Sequence, residues 1–241
     1  MTAIRRQFGF TVVALLAFPS IAAAIETSSK ATVTVLSTLH TFHARVPGYG
    51  FEVLKSLITK LNPDILAVEL TEEDLATRRN QGVKQEYQYS VFPLLETFKG
   101  SVVTLEPEEP EYSQLVSQLR TAERELREKT PQKAEALGLY VDQLYGVLLE
   151  KWKSPCDVNS NATDSVFEVK HRYQDSLLGP TYRDSWERWN QHALDRVLAA
   201  NRANPGKRIV ILMGSEHGYW LRNHLQNEDS SVLLSNCVFD L

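Results

Sequence analysis

A strand, a loop, a helix and a second strand follow one another within residues 32–70, and this order limits the possible folds more than any other feature of the chain. Thr32-Val33-Thr34-Val35-Leu36 is β-branched and apolar, and reads as a strand ending near Ser37-Thr38-Leu39-His40. Pro47-Gly48-Tyr49-Gly50 marks a loop. Phe51, Leu54, Leu57, Ile58 and Leu61 recur at helical spacing, and Asn62-Pro63-Asp64 stops that helix because the residue before a proline is forced out of the α region. Ile65-Leu66-Ala67-Val68-Glu69-Leu70 is then a short apolar run suited to a buried strand. Two strands joined through a helix run parallel, and a parallel sheet needs helical cover. The expected class is α/β, with a central, largely parallel sheet flanked by helices.

The rest of the chain extends this plan. A helix is expected from Tyr89 to Phe98, a third strand at Ser101-Val102-Val103-Thr104-Leu105, and a charged helix from Glu111 to Lys129 opened by Pro110. Ala134, Leu137, Val141, Leu144, Leu148 and Trp152 step by three or four, so one face of a long helix is buried. Residues 153–163 read as loop. A helix from Asp184 to Ala200 carries Trp186, Trp189, Ala193 and Val197 on one side. Arg208 to Met213 is a buried strand, followed at once by Gly214-Ser215-Glu216-His217-Gly218 and a helix through Gln226. Val232 to Phe239 adds an edge strand. No linker composition divides residues 25–241, which are expected to form a single domain with a helical insertion in the middle of the chain.

The N-terminus has the form of an export signal. Arg5 and Arg6 precede an uncharged apolar stretch from Phe8 to Ala24 that closes on Ala22-Ala23-Ala24, a pattern cleaved by signal peptidase. Cleavage after Ala24 is expected, leaving no stable membrane anchor and a periplasmic or secreted chain. Arg5-Arg6-Gln7-Phe8 also has the form of a twin-arginine signal. In an oxidising compartment Cys156 and Cys237, the only cysteines, are expected to pair. Closing that loop can add roughly 4 kcal/mol on the chain-entropy model. With 26 Lys+Arg against 30 Asp+Glu the chain is mildly acidic, and it lacks the basic surface that neutralises phosphates, so no nucleic-acid partner is expected.

In open α/β sheets ligands bind beyond the carboxyl ends of the strands. His40, Glu69 and His217 all stand at or near such ends. Neutral imidazoles and a carboxylate together suit a divalent metal, with Zn, Mn, Fe or Co as candidates. Gly214 is expected to permit a tight strand-to-helix turn, and the free N–H groups of the helix after it favour a developing oxyanion. A metal-bound water there can attack a carbonyl, with Glu216 as general base.

The residues Gly214-Ser215-Glu216-His217, and Glu69 at the end of Asn62-Pro63-Asp64-Ile65-Leu66-Ala67-Val68-Glu69, resemble the TraB/PrgY/GumN and Tiki-like group within a wider superfamily of erythromycin-esterase-like and ChaN-like proteins. The resemblance covers about residues 32–75 and 205–226. Ser37-Thr38-Leu39-His40 departs from the group's first Gly-x-x-His motif by carrying serine for glycine, which bears on the turn and on catalytic competence. The resemblance implies a metal-dependent hydrolase of peptide bonds, as in the Tiki-like members, or haem binding, as in the ChaN-like ones. With the residues above, the expectation is an exported metal-dependent hydrolase of a peptide or ester-like bond in a small-molecule or peptide substrate, with Glu69 and Glu216 catalytic and His40, Glu69 and His217 on the metal. The alternative is a non-catalytic periplasmic protein binding haem or a small ligand in the same pocket.

His43, in His40-Thr41-Phe42-His43, is a possible further ligand, and Arg45 can take an acidic substrate group. His171, His192 and His224 read as surface or partly buried helix residues, and Glu106, Glu108 and Glu109 as a solvated acidic loop. No Gly-x-Ser-x-Gly, His-Glu-x-x-His, P-loop or Gly-x-Gly-x-x-Gly pattern occurs.

Overall fold

The β-branched residues of β1 (Thr32–Thr38) send alternate side chains to opposite faces, Val33 and Val35 to one and Leu36 to the other. The computed structural model describes residues 32–228 and 233–234. Residues 1–24 and Cys237 therefore lie outside the described residues. From β1 the chain passes through two 3-10 turns, His40–Arg45 and Pro47–Tyr49, into α1 (Phe51–Leu61). Asn62 adopts a left-handed conformation there (φ 45°), and its N–H reaches back to the Ile58 carbonyl, closing the helix ahead of Pro63. β2 (Ile65–Val68) and α2 (Glu72–Thr77) follow, then a π-helical turn at Tyr87–Val91 that runs into α3 (Phe92–Leu95), then β3 (Ser101–Thr104).

Helices α4 (Glu111–Lys129), α5 (Pro131–Lys151), α6 (Pro155–Val158), α7 (Asn161–Leu178) and α8 (Pro180–Ala203) separate β3 from β4 (Arg208–Gly214). α9 (Ser215–Glu228) starts directly after β4, and β5 (Leu233–Leu234) pairs with the start of β1. The sheet order is β3-β2-β4-β1-β5, and every pair is parallel. This is the α/β architecture expected from residues 32–70. β4 lies between the two strands of the first βαβ unit, in register from Thr32 opposite Arg208 to Thr38 opposite Gly214.

Both faces of the sheet are covered. Leu36, Leu66, Val68, Val210 and Leu212 pack with residues of α1, α3, α5 and α7 on one side. Val33, Ile65, Ile209 and Ile211 meet α8 and α9 on the other. A smaller apolar cluster, including Ala122, Leu137 and Tyr182, joins α4, α5, α7 and α8. No helix of the described residues is long and apolar enough to cross a membrane.

The largest departure from expectation is at residues 153–163. The Ser, Asn and Asp residues that read as loop are helix caps: the Ser154 hydroxyl accepts from the Asp157 N–H to open α6, and Ser160 does the same for Thr163 at the start of α7. α7 itself escapes the apolar pattern because its buried stripe includes Thr163, Lys170, His171 and Gln174. α8 begins at Pro180, ahead of Asp184, because Gly179 (φ 82°) breaks the chain from α7. The helix expected from Tyr89 starts two residues earlier as the π-helical turn and ends at Leu95.

Candidate functional site

Because β4 lies between β1 and β2, its last residue, Gly214, sits between the segments that follow those two strands. A Cβ on Gly214 would stand 2.7 Å from His40 Nε2 and 3.5 Å from Glu69 Oε2. The Gly214 N–H donates to Glu69 Oε2 at 2.6 Å. His40 and His217 line one cavity of about 300 Å3, together with Gly214, Ser215 and Glu216. His40 and His217 thus share one cavity at the end of β4, and Glu69 lies beside it, bonded to Gly214. Gly214 has no positive φ, so the reason expected for it needs correcting: glycine is required there because the His40 ring leaves no space for a side chain.

The sharp turn falls instead on His40, whose φ of 53° is left-handed and costs a non-glycine residue about 1 kcal/mol. Ser37 is still in β1, opposite Met213, and is fully buried. Its N–H donates to Asn159 Oδ1 at 2.8 Å and its carbonyl accepts from the Tyr49 hydroxyl at 2.8 Å. Gly218 leaves the space its hydroxyl needs, since a Cβ there would stand 2.7 Å from Ser37 Oγ. The serine is thus accommodated within the packing of β1 against α9.

The two imidazoles are held differently. His40 Nδ1 lies 2.7 Å from Glu86 Oε1, and Glu86 is wholly buried. Burial pushes the His40 pKa down, but the Glu86 charge and hydrogen bond outweigh it, and the ring sits above its ordinary value. His217 Nδ1 lies 2.8 Å from Asn190 Oδ1. The Asn190 amide nitrogen donates to the Trp186 carbonyl at 2.8 Å, which fixes its oxygen toward the ring and puts the hydrogen on Nδ1. Burial pushes the His217 pKa down to about 4, against the opposing charges of Glu69 and Glu216. Each ring keeps an Nε2 with no hydrogen-bond partner among the described residues.

Glu69, buried behind Gly214, has its second oxygen 3.2 Å from Lys84 Nζ. Lys84 also donates to the Glu69 carbonyl at 3.0 Å and to Glu106 Oε1. Burial pushes the Glu69 carboxyl up, but Lys84, His40, His217 and the Gly214 N–H hold it down at about 2. One lysine cannot fully compensate two buried carboxylates, so burial and the Glu69 charge leave Glu106 pushed up to about 7 despite Lys84. The solvated loop expected at Glu106 is therefore wrong for that residue, which is buried; the Lys84 ammonium is what permits it.

Glu216, also in the cavity lining, accepts from the Tyr145 hydroxyl and from Lys170 Nζ at 2.5 Å, with His171 Nε2 3.3 Å away. Burial favours the neutral acid, but Lys170 and His171 prevail and hold the carboxyl far below the usual range. His171 is buried, contrary to its reading as a surface or partly buried residue, because Trp186 lies between its ring and that of His217, with centroid separations of 4.2 and 4.3 Å.

No family model, no curated protein and no solved structure matches this chain.

The other sequence candidates lie off this centre. His43 spends both nitrogens internally: Nδ1 is 2.6 Å from the Tyr49 carbonyl, and Nε2 accepts the Leu39 N–H at 2.9 Å. It braces the loop after β1 and leaves no lone pair for a metal. Arg45 is exposed, its guanidinium 5.6 Å from the Phe42 ring centroid. Cys156 sits in the first turn of α6, and the expected pairing with Cys237 falls outside the described residues.

For a metal, both histidines fit, since a ligating imidazole normally has its other nitrogen tied to an acceptor, as Glu86 and Asn190 do here. Glu69 fits less closely, because one oxygen holds the Gly214 N–H and the other faces Lys84. Among the described residues no three His, Cys, Asp or Glu side chains are already arranged as a ligand set. Lys84 lies closer to Glu106 than to Glu69, so its charge remains compensated if Glu69 turns to a cation.

Lys84, Glu86, Tyr87, Asn190 and Lys170 were not singled out from the sequence. Three of them come from one short segment: Lys84 pairs with Glu69, Glu86 orients His40, and the Tyr87 hydroxyl accepts the Glu69 N–H at 2.7 Å.

Proposed function

We propose that this chain is an exported hydrolase of a peptide or ester-like bond, with its reaction centre between His40 and His217 and a divalent metal as cofactor. One observation carries the reading: two imidazoles line one cavity, each with a buried acceptor on its Nδ1 and an Nε2 that has no hydrogen-bond partner among the described residues. The resemblance of residues 32–75 and 205–226 to the TraB/Tiki-like group, and the N-terminal export pattern, support it.

His40 and His217 would hold the metal through Nε2, with Glu69 as the third donor. When bound, the metal supplies a water acidic enough to attack a carbonyl at neutral pH. Glu86 orients His40 and keeps its Nδ1 hydrogen in place. Asn190 fixes the His217 tautomer, so that its Nε2 lone pair faces the cavity. Glu69 anchors Gly214 and with it the first turn of α9. Glu216, held ionised by Lys170, is a weak proton acceptor, and we assign it to shaping the cavity wall instead of the general-base role expected from its place beside His217.

Metal analysis of the natively expressed chain, set beside a His40→Ala/His217→Ala variant and paired with turnover of 4-nitrophenyl acetate, tests the proposal. Stoichiometric metal and turnover, both lost in the variant, are expected. Haem binding without turnover would replace the enzyme reading with that of a binder. The cavity, about 300 Å3, is at the lower end of the range for ligand sites and favours a smaller group than a macrocycle.

A further inference from the structure

Three of the side chains that line the cavity with the two histidines are aromatic. Phe42, Tyr145 and Trp186 line it, with the Phe42 and Tyr145 rings 5.2 Å apart at their centroids. Val83 stands at the mouth, 65% exposed, and still contributes to the lining. Large rings of this kind contribute most when they cover apolar surface of a ligand.

The charged groups of the lining have no charge to spare. His40 faces the buried Glu86 carboxylate at 2.7 Å, and Glu216 is matched by Lys170 at 2.5 Å, with the Tyr145 hydroxyl donating to it as well. In the metal-free chain an ionic ligand group entering here would lose its water without gaining an unpaired counter-charge from the lining, which is strongly unfavourable. A neutral apolar group meets no such cost. The cavity, at about 300 Å3, is large enough for a group of aromatic-ring size and little more.

From this juxtaposition we infer that the cavity selects substrates carrying an uncharged apolar group, aromatic or branched aliphatic, beside the bond that His40 and His217 address. The inference rests on reading the cavity as a hydrolase site, because the scissile bond is what fixes the apolar group against Phe42, Tyr145 and Trp186. Val83 then acts as a specificity residue at the entrance, the one lining position where a charge can be added in contact with solvent.

The test reads binding without turnover, by chemical-shift titration of the Trp186 indole in the full chain after removal of metal with a chelator. N-acetyl-L-phenylalaninamide is compared with N-acetyl-L-lysinamide and with the amide of N-acetyl-L-aspartic acid. The phenylalanine probe is expected to bind about tenfold more tightly than either charged probe, the scale of discrimination an apolar pocket provides. A Val83→Lys variant, altered only at an exposed position, is expected to narrow the gap to the aspartate probe about threefold and to leave the lysine probe weak. Equal or tighter binding of a charged probe, or no binding of the phenylalanine probe, overturns the inference. The expected preference in a chain that turns over no ester or amide would uphold the pocket chemistry and defeat the hydrolase reading alone.

Discussion

His40 and His217 face the same cavity and are tuned in opposite directions. Behind His40 is a buried carboxylate, and the ring is drawn above its ordinary pKa; behind His217 is an amide, and burial lowers the ring to about 4. The difference comes from one atom in each neighbour, an oxygen carrying charge in Glu86 and one without it in Asn190. Two identical side chains on one cavity thereby differ in basicity, while each keeps an Nε2 that no described residue engages.

The comparison breaks most severely when either ring is removed. His40→Ala and His217→Ala are each expected to lower ester turnover about 10²–10⁴-fold, with circular dichroism unchanged. Equal activity in either variant would take that ring out of the centre. Gly214→Ala comes next: its Cβ would stand 2.7 Å from His40 Nε2, so the ring must shift. Misplacement on that scale costs about 10²-fold in turnover, and overpacking adds about 1–3 kcal/mol of instability in a thermal melt.

Exchanging the partners sharpens the comparison without touching the rings. Glu86→Gln removes the charge behind His40 and is expected to lower metal affinity or turnover about 10–100-fold. Asn190→Asp makes the two sides alike and should raise the His217 pKa, measured by NMR of ring nitrogens in chelator-treated protein. A further effect is on stability. His217 is neutral when folded and takes up its proton near 6.5 when unfolded, so its contribution is complete above 6.5 and is lost as pH falls toward 4. The decline should reach up to about 3 kcal/mol in urea titrations of the chelated protein, and Asn190→Asp should reduce it.

The two sides also differ in how far the sequence reveals them. His40, Glu69 and His217 were legible because each follows an apolar run, and a parallel sheet aligns the ends of such runs. The partners behind them were not. Lys84-Gln85-Glu86-Tyr87 has the composition of a solvated segment, and only the fold carries Lys84 and Glu86 under β1 and β2. Lys170 and His171 occupy the buried stripe of α7 at regular helical spacing, but a stripe made of polar residues gives no apolar period to detect. Gly214 was legible as a required glycine, though for its φ; the close approach of His40 depends on a strand pairing that spacing along the chain does not reveal.

The central claim, that both free Nε2 atoms belong to one metal centre, is tested most directly by titrating Zn²⁺ into the chelated protein while recording the ring nitrogens of all six histidines. The account predicts that the Nε2 signals of His40 and His217 shift together and saturate at one equivalent, with His43, whose nitrogens are both engaged, unmoved. Zn²⁺ that shifts only one of the pair, or neither, would contradict it.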